Sequence, residues 1–328
     1  MTGEEIYLIT GVTGFLGHAV AEKLLEQGKS VVGLRLPGDR TRLPEGMDYQ
    51  AGDITKAHTL EKFFAQAADK KAVLIHCAGL VSIASREDAL WKVNVDGTRN
   101  IVDLCEKHGI AKLVYVSSVH AIPEKEKGQV ICETERFSAS LVKGIYGKSK
   151  AEATNYVLRA AKKGLDAVVV HPSGIIGPGG GFNGYMAETI RLYLKGCFPM
   201  AVEGGYDFVD VRDAADGIVS CAEKGRRGET YILSGEYISV KQMFDLLGDI
   251  TGKKKVYGSV PLKVVRRLAP FCEKLCVAMQ FPLLVTPYSV YTLGSNGSFS
   301  YEKAAKELGY EPRPIRETLA DIAEGMAP

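Results

Sequence analysis

The chain has 328 residues, 46% of them hydrophobic and 24% charged, which is ordinary for a globular protein large enough to form a core and a second lobe. Its 41 basic and 39 acidic side chains leave a net charge of +2, so the bulk charge predicts neither nucleic acid nor an anionic membrane as a partner. No apolar run approaches the roughly 20 residues of a transmembrane helix.

The first predicted element is a strand over residues 6–10, which leads through a glycine-rich turn into a helix over 18–26. The turn carries Gly11, Gly14 and Gly17 in the spacing G-x-x-G-x-x-G. Glycine permits the tight turn and the close approach of a pyrophosphate, and the helix N-terminus offers N–H donors and a positive dipole end. This order of strand, turn and helix predicts a dinucleotide site.

The next elements alternate between apolar strands and helices. Strands are predicted over 30–34, 48–50, 73–77, 112–117 and 167–171, with helices between them, for example over 90–107 and 146–162. This alternation predicts the α/β class: a Rossmann-type doubly wound parallel sheet, covered on both faces, with ligands at the C-terminal ends of the strands.

The pattern changes after the last of these strands. Glycines at 174, 177 and 179–181 predict a loop, and a helix over 185–195 and a strand-then-helix segment over 208–216 follow. Beyond residue 234 the chain is mostly helical. We assign 1–176 and about 208–236 to the dinucleotide-binding domain, and 177–207 and 237–328 to a smaller, mostly helical substrate lobe. The apolar, cation-bearing segment 263–285 either packs on its own core or contacts a membrane or an apolar substrate.

The adenosine end of a cofactor should meet the residue that closes the second strand, which is Arg35. A guanidinium binds a 2′-phosphate with bidentate geometry, whereas a carboxylate repels it, so NADP(H) is favoured over NAD(H). The alternative is a solvated strand-end arginine. Asp53 follows the third strand, where its carboxylate either accepts from the adenine amine or caps a helix.

Candidate catalytic side chains follow in the second half of the sheet. Tyr146 and Lys150 share one helix face, and an adjacent ammonium and an oxidised nicotinamide would lower the phenol pKa toward acid–base use. Ser118 follows the strand over 112–117, where it either hydrogen-bonds a substrate oxygen or forms a turn. Tyr237 and Lys241 repeat the spacing without a glycine turn, so we interpret that copy as structural.

In this order the motifs resemble those of the extended short-chain dehydrogenase/reductases over nearly the whole chain. The matching segments are TGVTGFLG at 10–17, GDIT at 52–55, HCAG at 76–79, VNVDGT at 93–98, VYVSS at 114–118, YGKSK at 146–150, HPSGIIGPG at 171–179 and FVDVRDAADG at 208–217. The 171–179 stretch and the C-terminal LGYEP at 308–312 look most like the branch of dihydroflavonol reductases and 3β-hydroxysteroid dehydrogenases. The Val-His-Ala that follows Ser118 lacks the acid and base of the sugar-nucleotide 4,6-dehydratases.

The resemblance implies roles for particular residues. It places the cofactor against Gly11, Thr13, Gly14, Phe15, Leu16, Asp53, Ile54, Ala78, Gly79, Tyr146, Lys150, Pro172 and Ile175, to which Arg35 is added by the argument above. It implies that Ser118 orients a carbonyl, Tyr146 exchanges a proton, Lys150 holds the nicotinamide ribose and lowers the tyrosine pKa, and Asn94 completes a proton relay.

We therefore expect an NADP(H)-dependent oxidoreductase that interconverts a secondary alcohol and a ketone or aldehyde; the alternative is an NAD-dependent nucleotide-sugar epimerase. Phe182, Tyr185 and Phe208 suggest an apolar or aromatic substrate pocket, or else belong to the core. The family often dimerises through the helices over 90–107 and 146–162, which implies a homodimer. Seven cysteines without a C-x-x-C pair predict buried, reduced thiols, no metal site and a cytoplasmic location, and the acidic Glu4-Glu5 start predicts no signal peptide.

Overall fold

The computed structural model describes residues 4–81, 87–179, 182, 184–279 and 286–326, with side chains for all of these except 273 and 275–279. Seven parallel strands form its central sheet, in the order β3-β2-β1-β4-β5-β6-β10. They are β1 (Glu5–Thr10), β2 (Ser30–Arg35), β3 (Asp48–Ala51), β4 (Lys71–His76), β5 (Lys112–Val116), β6 (Ala167–Pro172) and β10 (Thr230–Leu233). The prediction of a doubly wound parallel sheet is confirmed.

Helices cover both faces of this sheet because all its strands except the edge strand β3 are apolar on both sides. Leu8 of β1 belongs to a core that includes Ile101 and Val157, whereas its neighbour Ile9 belongs to a second core that includes Val20 and Ile218. The helices in chain order are α1 (Phe15–Glu26), α2 (Glu61–Phe64), α3 (Glu87–Trp91), α4 (Thr98–Lys107), α5 (Ile145–Lys163), α6 (Tyr185–Leu194), α7 (Val211–Lys224), α8 (Val240–Thr251), α9 (Leu262–Met279), α10 (Pro287–Gly294), α11 (Glu302–Leu308) and α12 (Ile315–Gly325).

Two smaller sheets lie outside the central one. Strand β9 (Gly205–Asp210) pairs with β7 (Gly174–Ile176) on one side and β11 (Glu236–Ser239) on the other, and β8 (Ala201–Val202) pairs with β12 (Ser259–Val260). The prediction that the glycine-rich stretch from 174 forms only a loop is therefore wrong for β7. Strand β9 supplies the pairing partner, and Gly174 suits the contact because a Cβ there would lie 2.8 Å from Cδ1 of Phe208. Gly180 and Gly181 lie outside the described residues.

The helix predicted over 90–107 is interrupted by a wider turn. Lys92–Gly97 forms a π-helical stretch between α3 and α4, and the carbonyl of Asn94 there accepts from the Thr98 hydroxyl at 2.7 Å. Wide turns of this kind often occur at functional sites.

The cysteine prediction holds only in part. The described thiols form no disulfide, and Cys105 and Cys221 are buried, but Cys132 and Cys197 are exposed. In the part of the chain that the structure describes, no helix is both long and apolar enough to span a membrane. Of the predicted segment 263–285, α9 accounts for the residues up to Met279, and 280–285 lie outside the described residues.

Candidate active site

The glycine turn is packed too tightly for side chains. Gly11 has a φ of +77°, and a Cβ on it would lie 2.7 Å from the amide nitrogen of Ala78. A Cβ on Gly17 would lie 2.2 Å from the Gly11 carbonyl oxygen. The two glycines therefore let α1 start directly against the end of β4, where Ala78 also donates its N–H to the Thr10 hydroxyl at 3.2 Å.

The start of α1 presents uncapped N–H donors. Gly14 is the N-cap and has no side chain to accept from them, and the first turn carries no acidic residue. The first bond into the helix joins the His18 amide to the Gly14 carbonyl at 2.9 Å, so the amides of Phe15 and Leu16 precede it. This donor set and the helix dipole fit a pyrophosphate.

The adenosine end is marked by Arg35, the last residue of β2. Its guanidinium stacks 4.2 Å from the ring centre of Tyr49, and both side chains are solvent-accessible. Asp39 lies in the following loop, where hydrogen bonds from Thr41 and Thr13 and the charge of Arg35 lower the pKa of its carboxyl group. Thr13 belongs to the glycine turn, so its hydrogen bond to Asp39 links that carboxylate to the turn. The structure thus places the cation of Arg35 and the carboxylate of Asp39 near the glycine turn.

Asp53 and Ile54 lie after β3. One Asp53 carboxylate oxygen accepts from the amide and hydroxyl of Thr55 at 2.9 and 2.8 Å, so Asp53 closes a local turn and is not a helix N-cap. Ile54 is buried, and its side chain contacts the π-helical stretch so closely that a Cβ on Gly97 would lie 2.8 Å from it.

Asn94 ties the π-helical stretch to the loop after β4 and to α5. Its side-chain oxygen accepts from the Leu80 amide at 2.8 Å, and its amide group donates to the Leu80 carbonyl and to the Ser149 hydroxyl, each at 3.0 Å. Gly79 lies beside it, since a Cβ there would be 3.3 Å from both the Asn94 oxygen and Nζ of Lys150.

Lys150 is buried, and its ammonium donates to the Val116 carbonyl at 2.8 Å. The ammonium also lies 5.1 Å from the ring centre of Tyr115. Burial lowers the pKa of Lys150 to about 8, because an ammonium loses hydration in this position. A lysine with such a pKa, at the C-terminal edge of a parallel sheet, is typical of a functional site.

Tyr146 is partly buried at the start of α5, one turn before Lys150. Burial raises the pKa of its phenol, and a hydrogen bond with Ser118 acts in the opposite direction. Here the Lys150 ammonium donates to the Val116 carbonyl, and the expectation that Lys150 lowers the phenol pKa beside a bound cofactor stays a prediction. The phenol is therefore protonated at neutral pH, as a proton donor must be.

Ser118 follows β5, and its backbone is fixed by a histidine from the neighbouring strand. Nδ1 of His171 donates to the Ser118 carbonyl at 2.9 Å, while the His171 ring stacks on Phe137 with centres 5.2 Å apart. Burial lowers the pKa of His171 to about 4, so the ring is neutral and Nε2, which has no partner among the described residues, carries no proton. Pro172 ends the same strand, and Ile175 lies on β7 and packs on the sheet core.

An aromatic wall of four side chains encloses the site: His120, Tyr146, Tyr206 and Tyr288. The His120 ring meets Tyr146 edge to face at 5.8 Å and stacks on Tyr206 at 5.6 Å. Its Nε2 lies 3.0 Å from the Tyr206 hydroxyl, and its Nδ1 lies 3.4 Å from that of Tyr288. Because burial lowers the pKa of His120 to about 4, the neutral ring can donate to one of these hydroxyls and accept from the other.

The sequence carries no local signal for Tyr206, Tyr288 or the role of His171. These residues lie 53 to 168 positions from their partners in the chain, and no local pattern marks them. The second Tyr-x-x-x-Lys copy has a structural environment, because Lys241 pairs with Asp245 at 2.6 Å on the surface of α8.

An apolar cavity of about 310 Å³ lies behind Tyr206. Its lining includes Phe208 of β9, Met186 and Tyr185 of α6, Val265 of α9 and Val290 of α10. Phe182 lies outside this lining and packs against Phe15, with ring centres 5.4 Å apart. The cavity can bury a hydrocarbon group, since it is walled almost entirely by carbon.

Comparison with known proteins agrees with this geometry. The model of the NAD dependent epimerase/dehydratase family matches residues 7–234. A protein of Synechocystis sp. named “Putative dihydroflavonol 4-reductase” is 32% identical over 97% of this chain and 93% of its own length. A Stigmatella aurantiaca protein named “4-hydroxy-2-methyl-3-oxo-4-farnesyl-3,4-dihydroquinoline-1-oxide ketoreductase” is 26% identical over 98% of this chain and 96% of its own. The crystal structure of gox2253 superposes with a TM-score of 0.84 at 33% identity, covering 98% of this chain and 97% of that one.

Proposed function

The chain belongs to the NAD dependent epimerase/dehydratase family, that is, to the extended short-chain dehydrogenase/reductases, and from this premise we propose that it is an NADP(H)-dependent oxidoreductase that interconverts a secondary alcohol and a ketone or aldehyde. One observation carries the proposal. Ser118, Tyr146 and Lys150 lie together at the C-terminal edge of the parallel sheet, and the uncapped start of α1 lies at the same edge. A proton donor and an anion site at one edge suit a reaction between a nucleotide cofactor and a carbonyl.

Each catalytic side chain has a distinct task in this proposal. Tyr146 gives its proton to the carbonyl oxygen during reduction and takes it back during oxidation, and Ser118 donates a hydrogen bond that orients the same oxygen. Lys150 holds a ribose hydroxyl in place of the Val116 carbonyl and stabilises the phenolate that forms. Asn94 holds Leu80, in the loop after β4, against α5, so that the proton path stays aligned. The bound cofactor supplies or accepts the hydride.

Cofactor choice depends on the end of β2. Arg35 supports NADP(H), because its guanidinium is accessible and is positioned over the Tyr49 ring, where it can bind a phosphate. Asp39 lies nearby but is already bonded to Thr41 and Thr13, which leaves it fewer sites for a ribose hydroxyl.

The substrate in this proposal is an apolar carbonyl compound or alcohol. The apolar cavity behind Tyr206 supports it, and so does the farnesylated substrate in the name of the Stigmatella relative. The reacting oxygen would lie at Ser118 and Tyr146, and the hydrocarbon part would lie between α6 and α10. The homodimer expected from α3–α4 and α5 stays a prediction, to be measured by light scattering.

Fluorescence titration with NADPH and NADH tests the cofactor, followed by turnover on ketones, steroids and UDP-sugars. The proposal predicts tighter NADPH binding and NADPH oxidation with an apolar ketone. Protein that purifies with one NAD(H) per chain, and that isomerises a UDP-sugar without net oxidation, would instead establish the epimerase.

A further inference from the structure

Helix α9 has two apolar faces, and the described chain covers only one. Val265 and Ala269 are buried and pack with Val290 of α10. On another face Val264, Leu268 and Phe271 are 47%, 52% and 67% exposed. Their spacing of four and three residues places these three side chains in one row, which we call the outer stripe.

Cations border the outer stripe. Lys263, Arg267 and Lys274 are exposed, and by helical periodicity they project about a quarter turn from the stripe, all on the same side. Within the described residues none of them is paired with a carboxylate. Helix α9 carries four cations against the single acidic residue Glu273, although the whole chain has a net charge of only +2.

Two kinds of surface could cover an apolar stripe beside cations. A second copy of the chain, docked through the same face about a twofold axis, would bring the cations of both copies close together. An anionic bilayer instead offers hydrocarbon to the stripe and phosphates to the cations. Helix α9 is 18 residues long, about 27 Å, and would lie in the plane of the membrane–water interface.

We propose that α9 docks the protein on the surface of an anionic lipid bilayer. Val264, Leu268 and Phe271 enter the boundary between headgroups and acyl chains, and Lys263, Arg267 and Lys274 contact lipid phosphates. The buried face of the same helix lines the apolar cavity through Val265, so docking brings the cavity next to a lipid phase.

Co-sedimentation of the full chain with vesicles tests this proposal. The probes are vesicles of phosphatidylcholine alone and of phosphatidylcholine with phosphatidylglycerol. One variant removes the charges (K263Q/R267Q/K274Q), and another removes the stripe (V264S/L268S/F271S). The matched control is V130S/L141S, at two apolar side chains that are each 49% exposed elsewhere. Thermal unfolding followed by circular dichroism verifies that each variant folds.

The expected result is binding to the phosphatidylglycerol vesicles that weakens with salt, falls at least about tenfold in both triple variants and is unchanged in the control. No binding by the wild-type chain, or equal binding by the wild-type chain and both folded triple variants, would overturn the proposal. The proposal would also be overturned if the wild-type chain is a dimer in solution and only the stripe variant is a monomer, since a second copy would then cover the stripe. Binding is measured without substrate or cofactor, so these outcomes are independent of the proposed reaction.

Discussion

His171 is expected to make the fold sensitive to acid. The ring is buried against Phe137 and donates to the Ser118 carbonyl, and the pKa of His171 is lowered to about 4 because a buried imidazolium loses its hydration. In the unfolded chain, the imidazole of His171 has a pKa of about 6.5. The unfolded state therefore binds more protons between these two values, and stability is lost as the pH falls from about 6.5 toward 4.

The size of the loss follows from the lowered pKa. One pKa unit corresponds to about 1.4 kcal/mol, so at pH 5 this residue removes about 2 kcal/mol of unfolding free energy relative to pH 7. The variant H171N retains a donor for the Ser118 carbonyl but cannot titrate in this range. Its unfolding free energy should therefore fall about 2 kcal/mol less than that of the wild-type chain between the two pH values. Burial also lowers the pKa values of His76 and His120, to about 3 and about 4, but both residues are present in each protein, so their contributions cancel.

Urea unfolding followed by circular dichroism, at pH 7 and at pH 5, measures this difference. The matched control is H58N, at an exposed histidine, which should follow the wild-type chain. If H171N loses as much stability on acidification as the wild-type chain, the argument that a buried neutral His171 holds Ser118 is refuted. H171N also loses the ring stacking on Phe137, which lowers its unfolding free energy at both pH values. This loss cancels because the comparison uses only the change between pH 7 and pH 5.

Three further predictions concern the cofactor and the aromatic wall. In fluorescence titrations, R35A should weaken NADPH binding at least about tenfold, because a charge-assisted hydrogen bond contributes about 1.5–3 kcal/mol. NADH binding should be unchanged. Equal losses of NADPH and NADH binding would contradict a contact between Arg35 and the 2′-phosphate. G17A should abolish binding of both nucleotides and lower the melting temperature, because its Cβ would lie 2.2 Å from the Gly11 carbonyl oxygen, and full NADPH binding would show that the turn does not hold the pyrophosphate. Y206F should lower kcat/KM with an unchanged NADPH Kd, because His120 loses a hydrogen-bond partner; an unchanged kcat/KM would mean that the wall does not orient the substrate.

The fold was largely predictable because its signals are local. Most strands of the central sheet are short apolar runs, although the edge strand β3 is polar and mostly exposed, and the glycine turn carries its own geometric requirement in three residues. Strand β7 was not predictable, because its glycines are typical of a loop and only pairing with β9 makes it a strand. The wide turn at Asn94 has no local sequence signal either, and it packs through Gly97 against the distant Ile54.

The candidate site was predictable as a set of motifs but not as an arrangement. Ser118 follows β5, and Tyr146 and Lys150 lie in the first two turns of α5, so their convergence at the ligand-binding edge follows from the parallel sheet. The pairing of His171 with the Ser118 carbonyl depends on the register of β5 against β6, which the sequence does not specify. The raised pKa of Tyr146 was not predictable either, because it comes from burial of the phenol, which depends on the packing of distant elements.

Turnover of the Y146F variant tests the central claim most directly. With NADPH and the ketone that the wild-type chain reduces, the loss of one phenol oxygen should lower kcat about a hundredfold to ten-thousandfold, while the NADPH Kd stays unchanged. The control is Y237F, in the second Tyr-x-x-x-Lys copy, which should retain wild-type turnover because Lys241 there pairs with Asp245. Wild-type turnover by folded Y146F would contradict the proposed role of Tyr146 as the proton donor.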